Sequence, residues 1–144
     1  MTLPAEPARR LAIVTCMDCR LAVLEAAGLR LGDAHILRNA GGIVTDDVIR
    51  SLAISQRRLG THEVMLIHHT DCGLGKLDEE ELRGELREAA GVEPPFEIGT
   101  FADVEADVRE SMRRASNSPF LPHRNSISGY ILDVETGRLR EVKP

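Results

Sequence analysis

At 144 residues the chain is long enough for one compact unit and too short for two ordinary domains. Its 42% hydrophobic and 28% charged residues are globular in balance, and no apolar run exceeds four residues, which excludes a transmembrane segment and a secretory core. Eighteen basic residues against 23 acidic ones leave a net charge of −5 with no Lys/Arg block, so no nucleic-acid partner is expected, and three cysteines without an export signal read as metal ligands or reactive thiols of a cytoplasmic protein.

Residues 11–15 (LAIVT) read as a strand, and residues 20–27 as a helix stopped by Gly28. A second strand over 34–37 (AHIL) turns through Asn39-Ala40-Gly41-Gly42 into a helix capped by Thr45. Asp46 and Asp47 lie in its first turn, where the helix dipole favours them, and it ends at Gly60. Residues 63–68 (EVMLIH) are too apolar for a half-exposed strand and suit the centre of a parallel sheet. An acidic helix is expected over 78–90 and a loop with paired prolines over 91–99. An amphipathic helix follows, carrying Phe101, Val104, Val108 and Met112 as its buried stripe. A strand over 127–134, a turn at Glu135-Thr136-Gly137 and a return over 139–142 complete the chain. This order predicts an α/β fold in one domain, 1–144, with a mainly parallel sheet of four to five strands flanked by helices. Ligands of such sheets bind at the carboxyl ends of the strands.

Two groups of reactive residues fall at those ends. Cys16-Met17-Asp18-Cys19-Arg20 follows the first strand and His69-Thr70-Asp71-Cys72-Gly73 follows the third. Zinc takes thiolate at about 2.3 Å and imidazole at about 2.0–2.1 Å, so Cys16, His69 and Cys72 can fill three corners of a tetrahedron and leave the fourth for water, as a catalytic zinc requires. Two thiolates and a neutral imidazole cancel the metal charge, so its water is harder to ionise than at an all-imidazole site, and neighbouring groups gain weight. Asp18 can accept the hydrogen of a zinc-bound hydroxide while Arg20 holds its carboxylate in a fork; released, that carboxylate can swing onto the metal.

In these residues the chain resembles the β-class carbonic anhydrases, whose zinc site is built from Cys-x-Asp-x-Arg after one strand and His-x-x-Cys after another. Both halves occur here in order, with Arg38-Asn39-Ala40-Gly41-Gly42 between them like the family's loop beside the site. The resemblance implies one zinc per subunit on Cys16, His69 and Cys72, a catalytic dyad of Asp18 and Arg20, and reversible hydration of CO₂ to bicarbonate by zinc-bound hydroxide. It also implies a homo-oligomer, dimer or tetramer. The chain departs from the family in having only ten residues before Leu11 where an N-terminal helical arm is usual, in lacking the Trp of the family's regulatory bicarbonate pocket, and in Cys19.

Alternatives stay open. The same hydroxide would attack carbonyl sulfide or carbon disulfide. Cys19 as a fourth ligand would close a Cys₃His site and make a non-catalytic structural zinc module, and Cys16-x-x-Cys19 alone can be a redox pair. Val23, Leu24, Ile43 and Leu74 are candidate cleft residues, with Gly41 and Gly42 allowing close backbone approach. His68, on the opposite face of its strand from His69, is expected to be packed or hydrogen-bonded. His35, His62 and His123 are read as ordinary histidines, and Asp71 as a turn residue.

Overall fold

The structure, a computed structural model, describes residues 2–144. Five strands form one sheet: β1 (Leu11–Cys16), β2 (Ala34–Asn39), β3 (Glu63–His69), β4 (Ile127–Leu132) and β5 (Leu139–Val142), in the order β2-β1-β3-β4-β5. All neighbours are parallel except β4 and β5, the expected terminal hairpin. The helices are α1 (Val23–Ala26), α2 (Asp46–Arg58), α3 (Glu79–Ala90) and α4 (Val104–Ser116).

Each of the three long helices starts where a side chain can satisfy its free amides. Thr45 accepts from the Val48 amide, Asp78 from Glu81, and Asp103 from Glu105 and Ala106. One face of the sheet packs Ala12, Val14, Val64 and Leu66 against Val48 and Leu52 of α2 and Val108, Met112 and Ala115 of α4. The other face carries Leu11, Ile13 and Ile67 against Leu21, Val23, Cys72 and Leu74. That second face is thinly covered, for α1 is a single turn, and Ile36, Met65, Tyr130 and Leu139 remain half-buried on it.

Three expectations need correction. The helix expected over 20–27 shrinks to Val23–Ala26, because Asp18 Oδ1 accepts the Arg20 amide at 2.8 Å and bends 18–20 into a side-chain-closed turn. Phe101 precedes α4 and packs on the opposite face of the sheet from Val108 and Met112, so its helical spacing was fortuitous. The last long strand stops at Leu132, where Asp133 accepts from the Glu135 and Thr136 amides and opens the hairpin turn.

Candidate metal centre

β1 and β3 lie side by side at the middle of the sheet, and their carboxyl ends deliver Cys16 and His69 as the last residue of each strand. The chain then turns at Asp71, whose backbone is left-handed (φ 55°), and brings Cys72 back over the strand ends. The ligand atoms of Cys16, His69 and Cys72 all lie within 4.8 Å of one another, and all three residues are buried. A tight turn from β2 closes the third side. Gly42 (φ 65°) packs so near β1 that a Cβ would stand 2.9 Å from the Cys16 nitrogen, so the close approach serves β1 and not a ligand. The neighbouring Gly41 amide donates to Cys16 Sγ at 3.3 Å.

Three features suit this triad to a soft divalent cation. His69 Nδ1 donates to the Thr70 carbonyl at 2.7 Å, which leaves Nε2 as a bare lone pair, and that atom is buried with no partner. Burial pushes the Cys72 thiol up, the Leu74 amide opposes this, and the Cys16 sulfur beside it adds to the rise. Two thiolates side by side are therefore unfavourable here without a positive charge between them, and a divalent ion reverses that balance. Two sulfurs and one imidazole are also the donor set that zinc prefers.

Asp18 stands beside the triad, with Oδ2 3.7 Å from His69 Nε2. Arg20 grips it through Nε to Oδ1 at 3.0 Å and Nη2 to Oδ2 at 2.6 Å. These side-chain bonds, the Arg20 amide and the guanidinium charge hold the Asp18 carboxyl well below the usual carboxylate range, and the bonds to Asp18 and Asp71 push Arg20 up. Asp18 is thus ionised at any working pH and can only accept hydrogen bonds.

The sequence reading placed these five residues together but missed two that support them. Arg38, the exposed residue near the end of β2, donates to the Cys16 carbonyl at 2.8 Å and the Asp18 carbonyl at 2.6 Å, fixing the loop that carries both. Asp71, read as a turn residue, also binds Arg20 and Lys76. For the first, the signals were its place at the head of the Arg38–Gly42 loop that resembles the family's loop beside the site, and the β2 register, which sets it one residue from the Cys16 pair. The second carried none.

Cys19 lies exposed in the 18–20 turn, outside the triad and ahead of α1. A cavity of about 310 Å³ opens on Cys16, Asp18 and Cys72 and is walled by Ala40, Gly41, Leu74 and Leu77. Of the expected cleft residues Leu74 and Gly41 are present. Val23 and Leu24 face a separate surface cleft with Ile36 and Arg38, and Ile43 packs beneath Gly99. His68 bonds Asp107 of α4 at 2.6 Å, His35 bonds Ser55 at 2.8 Å, and His62 lies against His123 with the ring planes tilted by 46°.

Residues 11–139 match the family described as carbonic anhydrase. The chain is 46% identical over 142 residues to beta-carbonic anhydrase 1 of Mycobacterium tuberculosis, covering 99% of this chain and 87% of that protein. It superposes on the crystal structure of the Streptococcus mutans carbonic anhydrase with a TM-score of 0.92 and 52% identity, covering 99% of this chain and 87% of that one. A carbon disulfide hydrolase of Acidithiobacillus thiooxidans is 37% identical over 153 residues, covering 92% of this chain and 76% of that protein. A parallel sheet with this triad at its strand ends, matched along almost the whole chain by such relatives, means that the protein belongs to the β-carbonic anhydrase family.

Proposed function

We propose that the protein catalyses the reversible hydration of carbon dioxide to bicarbonate at a zinc ion held by Cys16, His69 and Cys72. The observation that carries this reading is the buried pair of sulfurs with an unpartnered imidazole nitrogen, set beside an ionised Asp18, in a chain 46% identical to a β-carbonic anhydrase. A zinc ion there supplies the Lewis acidity that lets a water attack the carbon of CO₂ near neutral pH. Asp18 Oδ2, an obligate acceptor, takes an O–H of the attacking water and so orients the oxygen lone pair toward the cavity. Arg20 keeps that carboxylate off the triad, and Arg38 holds the backbone beneath it. Leu74, Leu77 and Gly41 offer an apolar wall to a linear apolar substrate, and the anionic product meets a like charge at Asp18, which favours its departure.

Stopped-flow hydration of CO₂ by zinc-loaded protein tests the reading, with turnover abolished by a chelator as the expected result. Carbonyl sulfide and carbon disulfide are run beside it, because a carbon disulfide hydrolase is among the relatives. Preference for a sulfur substrate would replace the CO₂ assignment, and no turnover of any of the three would remove the enzymatic one. Cys19, exposed and apart from the triad, supports an open position over a closed four-ligand site.

The working unit in this reading is a homo-oligomer built on a dimer. Two long helices cover one face of the sheet and a single turn of helix lies on the other, whereas parallel sheets are normally buried on both faces. The edge strand β2 is uncapped among the described residues, and Leu31 beside it is 79% exposed. Light scattering should give at least twice the chain mass of 15.8 kDa. A fully active monomer would refute the proposal.

A further inference from the structure

Arg20 is held from two sides. Besides its fork on Asp18, Nη1 donates to Asp71 Oδ2 at 3.0 Å and Nη2 to the Asp71 carbonyl at 3.0 Å, so four of about five guanidinium N–H groups are engaged. Asp71 reaches Arg20 with both its carbonyl and its carboxylate because its backbone is left-handed, a conformation that only one other non-glycine among the described residues adopts, Arg10. Its second carboxylate oxygen is taken by Lys76. An ordinary residue at a turn between two ligands needs none of these bonds, and the left-handed backbone disfavours most side chains.

Asp18 Oδ2 is contested. The oxygen that Arg20 Nη2 holds at 2.6 Å is the one lying 3.7 Å from His69 Nε2. If the guanidinium tilts away, that oxygen is free to move toward the triad. We propose that Asp71 is a positioning residue that locks the Arg20 fork onto Asp18 and thereby keeps the Asp18 carboxylate from occupying the exchangeable position of the metal. This rests on the reading of Cys16, His69 and Cys72 as the metal site. Asp71 touches neither substrate nor metal in this account; it acts through Arg20. Lys76 balances the charge of Asp71, which leaves one carboxylate oxygen for each cation.

The test uses Co(II)-substituted protein and azide, an anion that alters the visible spectrum only when it enters the metal's exchangeable position. This readout needs no CO₂ turnover, so failure of the functional reading and failure of this proposal are separable. Asp71→Gly keeps the left-handed turn and removes the carboxylate. Losing one half-exposed, charge-assisted contact should weaken azide binding about fivefold. Asp71→Asn, which keeps both the turn and an acceptor, should fall between this variant and the parent, and serves if the glycine variant folds poorly. In an Asp18→Asn background, where no carboxylate competes, Asp71→Gly should have no further effect on azide. Unchanged azide affinity in both Asp71 variants, the same loss in the Asp18→Asn background, or no azide response in the parent would each overturn the proposal.

Discussion

Cys16→Ser, His69→Ala and Cys72→Ser are each expected to purify with a small fraction of the zinc of the parent and with no measurable CO₂ hydration. A protein-bound zinc held at roughly 10–16 kcal/mol by a few ligands loses several kcal/mol with any one of them, which is at least a hundredfold, about 10², in affinity. The His69 variant removes the unpartnered Nε2 together with the Nδ1 bond to the Thr70 carbonyl, so its metal loss is read beside that of the two sulfur variants. Cys19→Ala belongs in the same metal analysis as its control. That sulfur is exposed in a turn apart from the triad, so zinc content and turnover should match the parent. Full occupancy in any triad variant would remove that residue from the site. Metal loss in Cys19→Ala would instead make Cys19 a ligand and favour a closed, structural zinc. Far-ultraviolet circular dichroism on each sample separates loss of metal from loss of fold.

The site was legible in the sequence because metal chemistry is restrictive. Few residue types bind zinc, and Cys16, His69 and Cys72 sit at strand ends that hydrophobic patterning alone locates. The parallel core followed from the apolar runs of β1 and β3, and the expected cap Thr45 lies at its helix start. Reading failed where a polar side chain overrode local propensity. The Asp18 carboxylate, by accepting the Arg20 amide, replaced the first turn of a helix whose apolar spacing was otherwise sound. Phe101 had helical spacing but lies before the Asp103 cap, and packs on the other face. The partners of Arg20 and Arg38 across the strand ends, Asp71 and the Cys16 and Asp18 carbonyls, are separated from them by 20 to 51 positions. Long flexible cationic side chains can reach many acceptors, and no local pattern selects among them.

Arg20→Ala should keep its zinc and lose turnover by about 10- to 100-fold, the usual cost of removing a group that orients a ligand or nucleophile at a metal. Arg20 lies outside the triad, so metal retention follows from the geometry. The loss has two sources that act together. Asp18 no longer has the fork that aims Oδ2, and it is free to move the short distance toward His69 Nε2 and compete for the metal. Arg20→Lys should recover little, because an ammonium cannot span both Asp18 oxygens while also meeting Asp71. Acid does not act by protonating Asp18. Its carboxyl is held below the ordinary carboxylate range, so it remains charged as pH falls through neutral and weakly acidic values. Any decline in turnover over that range therefore has a cause other than protonation of Asp18. Turnover within twofold of the parent in zinc-replete Arg20→Ala, measured by stopped flow alongside metal analysis, would show that the pair has no part in the reaction.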